Sequence, residues 1–265
     1  MQVVVIIPAR FASTRFPGKV IAPVAGKPMI QRVWEQARKA RRVSEVIVAT
    51  DDRRVGDLVM GFGGHVILTS PEHQSGTERV AEAADKVSAD VVINVQGDEP
   101  LIAPESIDLA AGPLLDDEGP AMASLMHPLQ NYADYQDPNV VKVVVDDQDF
   151  AVYFSRSPIP YYRDQQDRLR KWQKEGGRPE GLAPAPMKHI GLYAYRTEFL
   201  LALARLPRAH LERAEALEQL RVLAWGFKIK MVETPHDSVS VDVPADVAKV
   251  EALIRESGNR CEIKG

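Results

Sequence analysis

The apolar positions of this chain change period along its length, and those changes lay out its elements. Val3-Val4-Val5-Ile6-Ile7 is an unbroken β-branched run, the pattern of a strand covered on both faces. Similar runs recur at Val46–Ala49, Val66–Leu68 and Val91–Val95. Between them the period lengthens to that of a helix. Ile30, Val33, Trp34 and Ala37 fall at i, i+3, i+4 and i+7 after Pro28, a residue suited to a first turn. Val55, Leu58, Val59 and Phe62 repeat the spacing, and Gly63-Gly64 stops it. Ser75-Gly76-Thr77-Glu78 has the form of a capping box, ahead of Val80, Ala83, Ala84 and Val87 on one helical face. Strand and helix alternate to about residue 115. The expectation is an α/β fold with a largely parallel sheet covered on both sides by helices.

The second half reads differently. Val141–Val145 and Ala151–Phe154 flank Asp146-Asp147-Gln148-Asp149, which predicts a hairpin. Residues 161–186 are polar and hold Gly176-Gly177, Pro179, Pro184 and Pro186. They read as a surface loop or a short exposed helix with a loop. A strand is expected at His189–Tyr195, helices around 197–205 and 211–224, a strand at Ile229–Val232 and a helix around 245–256. The tail from Gly258 reads as loose. No internal repeat is visible.

Composition narrows the function classes. The 265 residues carry 33 Lys+Arg against 37 Asp+Glu, a formal net charge of −4, which argues against bulk nucleic-acid binding. The lone cysteine, Cys261, excludes an internal disulfide framework and a cysteine-based zinc finger. The histidines show no HExxH or paired spacing, so zinc is not expected. The start MQVVVIIPAR lacks the basic segment and cleavage site of a signal peptide. No run approaches the ~18 apolar residues of a membrane span. The expectation is a cytoplasmic protein without membrane insertion.

The segment after the first strand, PARFASTRFPGK at 8–19, concentrates Arg10, Arg15 and Lys19 with Ser13, Thr14 and Gly18. Ligands of parallel α/β sheets bind at the carboxyl ends of the strands. A polyphosphate there needs cations, hydroxyl donors and close backbone approach. The alternative is a solvated basic loop. Neither the Walker A spacing nor the GxGxxG fingerprint is present; Gly61-Phe62-Gly63-Gly64 lacks the strand-then-helix setting. Asp98, in Gln96-Gly97-Asp98-Glu99-Pro100 after the fourth strand, suits a hard cation or a turn. Asp242 reads as a second ligand or as the cap of a helix starting at Pro244. Ser75 and its neighbours are either a plain helix cap or an anion site. His189 and Tyr193 would share a strand face, and Glu215 and Gln219 a helix face. Their plainer readings are a buried, hydrogen-bonded histidine and a solvated helix surface.

Taken in order, PARFASTRFPGK, HQSGTER (73–79), NVQGDEP (94–100), FSRSPIP (154–160), KHIGLYAYR (188–196) and LEQLRVL (217–223) closely resemble the CMP-KDO synthetases, the 3-deoxy-D-manno-octulosonate (KDO) cytidylyltransferases. The resemblance runs from Val3 to roughly Val250. It departs at residues 161–186, at the tail from about Glu256, and at Val239–Pro244, where the family has Gly-Val-Asp-Thr-Pro. The resemblance implies a Rossmann-like nucleotide-diphospho-sugar transferase fold: a mostly parallel mixed sheet flanked by helices, with a smaller antiparallel lobe at about 126–195 for sugar binding and dimerisation. Residues 1–265 would form a single domain. It implies transfer of CMP from CTP to KDO for lipopolysaccharide synthesis, with Mg²⁺ as cofactor and a homodimer as assembly. It places Pro8, Ala9, Arg10, Ser13, Arg15, Lys19, Thr50, Asp51, Gln74, Ser75, Gly76 and Arg79 at CTP. Asp98 and Asp242 would hold the metal and, with Arg10, Arg15 and Lys19, carry catalysis. Gln96, Arg156, His189, Tyr193, Glu215, Glu218 and Gln219 would face the sugar. Open alternatives are UTP or a related sugar acid (8-amino-KDO or sialic acid), and a non-catalytic nucleotide-binding protein.

Overall fold

The computed structural model describes residues 1–13 and 16–262, with side chains as far as Glu256. The first half comprises β1 (Val3–Pro8), β2 (Pro23–Val24), β3 (Lys27–Pro28), α1 (Met29–Ala37), β4 (Glu45–Thr50), α2 (Arg53–Gly61) and β5 (His65–Leu68). It continues through α3 (Gly76–Ala84), β6 (Val91–Asn94), α4 (Pro104–Ala111), β7 (Met122–Pro128) and α5 (Tyr132–Gln136). The second half adds β8 (Lys142–Val145), β9 (Ala151–Ser155), α6 (Gln166–Glu175), β10 (Met187–Arg196), α7 (Thr197–Leu203), α8 (His210–Glu215), α9 (Gln219–Ala224), β11 (Lys230–Glu233) and α10 (Pro244–Glu262).

The main sheet runs β11-β7-β10-β6-β1-β4-β5, with the β8–β9 hairpin attached through β10. Strands β6, β1, β4 and β5 pair in parallel; β10 is antiparallel to both β6 and β7. Every residue of β1 up to Ile7 is buried, and its side chains alternate between two cores. Val3, Val5 and Ile7 pack with α1 and α4; Val4 and Ile6 pack with α3. Each such aliphatic contributes about 1.5–3 kcal/mol by leaving water, so the unbroken apolar run forms a central strand. The expected helix stripes hold: Ile30, Val33, Trp34 and Ala37 are all buried on α1, and Trp34 packs against Phe62 with ring centroids 5.2 Å apart. By contrast β5 lies at the sheet edge and leaves Leu68 exposed.

Four features differ from the pattern along the chain. Strand β7 is not visible in its sequence, because Met-Ala-Ser-Leu-Met has little β-branched character. It is a strand because β10 and β11 clamp it on both sides. Residues 161–186 form a short, largely exposed helix with a loop, the second of the two readings, but with an anchor that the pattern does not show. Helix α6 buries Trp172 against Tyr132, Tyr135, Tyr162, Leu129 and Leu182, and the indole N–H reaches the Gln130 carbonyl at 2.8 Å. The helix expected at 211–224 is two helices. Ala216 takes a left-handed φ of 52° between α8 and α9, so Glu215 and Gln219 do not share one helical face. Helix α10 continues to Glu262 rather than ending near 256 with a loose tail; the backbone ladder carries past Gly258, since one glycine costs a helix only ~1 kcal/mol.

Candidate functional site

Strands β1, β4 and β6 end together at one edge of the sheet, where the segments leaving β1 and β6, the start of α3 and the turn before α10 enclose a cavity of about 250 Å³. Pro8, Arg10, Ser13, Lys19 and Val20 line it from the first crossover, with His73, Gln74, Ser75, Gly76 and Arg79 around the start of α3. Gln96, Gly97 and Asp98 follow β6, and Asp242 precedes α10. Close approach requires Gly97: a Cβ there would lie 2.9 Å from the Pro8 carbonyl oxygen.

Lys19 is the centre of charge. Its Nζ lies 2.5 Å from Asp98 Oδ2 and 3.7 Å from Asp242 Oδ1. The two aspartates are 144 positions apart in sequence, yet one backbone bond joins their segments: Val241 N–H donates to the Asp98 carbonyl at 2.9 Å. Val241 itself is buried with Val24, Met29 and Val250. Asp246 turns back to accept the amides of Asp242 and Val243 at 2.8 and 2.9 Å. Two carboxylates converging on one cation form a donor set that a small hard divalent ion shares, since Mg²⁺ takes one or two carboxylates and completes its shell with water or phosphate oxygens. Among the described residues no group of three or more His, Cys, Asp or Glu side chains is placed to hold a metal ion.

The start of α3 behaves as the sequence predicts. Ser75 Oγ accepts the Glu78 amide at 3.3 Å, while the Glu78 carboxylate reaches one residue further back, to the Gln74 amide at 2.8 Å. Arg79 is buried behind this turn. It donates to Asp51 at 2.9 Å, Thr69 Oγ1 at 2.5 Å and the Ser70 carbonyl at 3.3 Å. Asp51, Thr50 and Ala9 therefore stand behind the cavity wall rather than on it: Thr50 and Ala9 are wholly buried. The first crossover is braced from outside by Arg54, whose guanidinium sits 3.5 Å over the Phe11 ring and is itself held by Asp52. Arg15 lies outside the described residues.

The predicted sugar-side residues separate into four groups. Gln96 lines the main cavity. Tyr193, Glu218 and Gln219 line a smaller one together with Thr77. Arg156 and Glu215 line neither and hold each other: the Glu215 carboxylate accepts Ser155 Oγ at 2.6 Å and the Arg156 amide at 3.0 Å. The Arg156 guanidinium donates to the carbonyls of Glu215, Ala216 and Pro138, which secures the left-handed break between α8 and α9. His189 is buried with its ring 4.8 Å from Phe154 and 5.5 Å from Tyr193, so the two β10 side chains do share a face. Burial pushes the His189 ring down to about 3, and the ring is neutral near pH 7.

Three residues beside the site carry no signal that spacing alone reveals. His73 lines the cavity and pairs with Glu82 at 2.6 Å; a lone histidine without a metal-ligand partner gives nothing to read. Glu99 is buried behind Asp98, and burial together with the Asp98 charge raises it to about 7. Lys142 is fully buried, and its ammonium donates to the carbonyls of Asp137, Val140 and Arg156 at 2.8, 2.6 and 2.7 Å. It disappears in the sequence inside an apolar strand.

Comparison with known proteins adds to this geometry. A family model described as cytidylyltransferase matches residues 4–229. The 3-deoxy-manno-octulosonate cytidylyltransferase of Geobacter sulfurreducens is 50% identical over 94% of this chain and 98% of its own length. The protein of the same name from Geobacter metallireducens is 52% identical over 94% and 96%. A solved CMP:2-keto-3-deoxy-manno-octonic acid synthetase complexed with CTP superposes with a TM-score of 0.86 and 41% identity, covering 97% of this chain and all of that one. A 4-diphosphocytidyl-2C-methyl-D-erythritol synthase from Anaerococcus prevotii, at 11% identity and a TM-score of 0.59, shares the fold.

Proposed function

This chain belongs to the 3-deoxy-manno-octulosonate cytidylyltransferase family, and we propose on that premise that it transfers CMP from CTP to KDO, releasing pyrophosphate, for lipopolysaccharide synthesis. The observation that carries the reading is Lys19 held between Asp98 and Asp242 at the mouth of β1 and β6. A tetra-anionic triphosphate needs several cations at one strand edge, and Arg10, Lys19 and the amino end of α3 face that place.

The anomeric hydroxyl oxygen of KDO forms a bond to the α-phosphorus, the bond to the β-phosphate oxygen breaks, and the hydroxyl proton leaves to solvent. Arg10 and Lys19 offset charge on the phosphates, Ser13 and the Gln74–Gly76 turn orient them, and Asp98 with Asp242 would hold Mg²⁺. Mg²⁺ held there would polarise the α-phosphate and make the attacking hydroxyl more acidic. In the rest, catalysis is positioning and fixed charge, with no covalent intermediate. Gln96, Tyr193, Glu218 and Gln219 face the sugar acid, with His189 behind them; Arg156 and Glu215 serve through the shape of the α8–α9 corner. Residues of the lobe at about 126–195 form the contact of a homodimer, and the enzyme works in the cytoplasm. Among the described residues no helix is long and apolar enough to cross a membrane.

Pyrophosphate release from CTP with Mg²⁺ should depend on KDO and be far weaker with UTP or sialic acid. Asp98→Asn and Asp242→Asn should each lower turnover at least a hundredfold while retaining the wild-type thermal transition. No KDO-dependent release from the wild-type enzyme overturns the assignment.

A further inference from the structure

Strand β10 carries a bulge. Its register against β7 pairs Ile190 with Leu125 and then Tyr193 with Ser124, so Gly191 and Leu192 have no opposite residue. Bulges re-aim side chains and often stand beside active sites. Here the bulge leaves two carbonyls facing one hydroxyl: Ser124 Oγ lies 2.8 Å from the Leu192 oxygen and 3.2 Å from the Ile190 oxygen. The same Oγ lies 2.9 Å from His189 Nε2. Ser124 is wholly buried, so no water competes for its proton.

These distances fix the direction of every bond in the group. A carbonyl only accepts, so the single Ser124 proton goes to the bulge. His189 Nε2 must then be the donor to Ser124 Oγ. The buried ring is neutral and holds one proton, so Nδ1 is bare and accepts. Its neighbour is Gln219 Nε2 at 3.4 Å. That orients the Gln219 amide, whose Oε1 stands 3.2 Å from the Tyr193 hydroxyl. Tyr193 therefore gives its proton inward and keeps a lone pair outward. The chain ends at the smaller cavity, which Tyr193 lines with Thr77, Glu218 and Gln219.

We propose that Ser124 is a positioning residue of the sugar site: by giving its proton to the β10 bulge it holds His189 as the Nε2–H tautomer, orients the Gln219 amide, and leaves the Tyr193 oxygen as a hydrogen-bond acceptor toward a hydroxyl of the sugar acid. This rests on the sugar-side reading given above. The alternative Nδ1–H tautomer would turn the Gln219 amide around and make Tyr193 a donor to the ligand. The polarity presented to the sugar is thus set by a serine three hydrogen bonds away from the Tyr193 hydroxyl.

The test combines a spectrum and a kinetic split. In wild-type protein labelled with ¹⁵N-histidine, ring correlations should show His189 with Nε2 protonated and Nδ1 bare; the signal is assigned by its loss in His189→Asn. Ser124→Ala should shift the ring to the other tautomer or to a mixture. It should also raise the KM for KDO at least tenfold while leaving the KM for CTP within twofold. Ser124→Thr, which keeps the hydroxyl, should retain the wild-type tautomer. An Nδ1–H ring in wild type, or Ser124→Ala with an unchanged ring or an unchanged KM for KDO, overturns the proposal. If Ser124→Ala does not fold, the wild-type and Ser124→Thr spectra decide. A wild-type enzyme inactive on KDO removes the functional reading and the sugar half of this proposal, whereas the spectrum tests the hydrogen-bond chain separately.

Discussion

Replacing His189 by Asn should change how stability depends on pH, and the size of the change follows from burial. The ring is 7% exposed and is pushed by burial from about 6.5 to about 3. Above pH 6.5 it is neutral in the folded and unfolded chain, and its contribution is complete. Below 6.5 the unfolded ring takes up a proton that the folded ring refuses, and stability is lost progressively until pH approaches 3. Each pH unit in that window removes ~1.4 kcal/mol, so between pH 6.5 and 5 the loss is about 2 kcal/mol. Wild type alone would conceal it. Glu99, raised to about 7 by burial and by Asp98, acts in the opposite sense. Its contribution is present below pH 4.5 and is lost as pH rises to about 7. The readout is therefore the difference between wild type and His189→Asn in urea unfolding at pH 5, 5.75, 6.5 and 7.5, without Mg²⁺. The difference should narrow by about 2 kcal/mol from pH 6.5 to 5 and be flat above 6.5. A difference independent of pH would refute a buried neutral ring.

Three further outcomes follow from packing. Lys142→Met removes the donor shared by three carbonyls and should destabilise the fold by ~3 kcal/mol or more, read from urea midpoints; a loss under ~1 kcal/mol would deny the ammonium its structural role. Ala216→Gly relieves a left-handed alanine at φ 52° and should leave stability unchanged or raise it by up to ~1 kcal/mol, whereas a clear loss would mean that the break is not strained. Gly97→Ala drives a Cβ to 2.9 Å from the Pro8 oxygen and should cost about 1–3 kcal/mol and weaken CTP binding measured by calorimetry; normal affinity would show that this approach is not needed.

What the chain determines locally is the scaffold. The both-face apolar runs fix β1, β4 and β6, and the helix stripes of α1 and α2 and the cap at Ser75 follow from residues within one turn of each other. The basic first crossover and the motif order were enough to show the family. What depends on distant partners had to wait for the tertiary structure. Asp242 reaches Asp98 because Val241 bonds the Asp98 carbonyl and packs into a core with Val24 and Met29. Ala216 breaks a continuous helical pattern because Arg156, 60 positions earlier, holds the carbonyls on either side of the turn. Trp172 makes a polar, proline-rich stretch into a packed helix by reaching Tyr132 and Tyr135. Ser124 is unremarkable in sequence, and only the β10 bulge gives its hydroxyl a direction. Period and propensity act over a few residues and are legible in the chain. Charge pairing and hydrogen-bond direction act between residues brought together by the fold, and there only the tertiary structure decides.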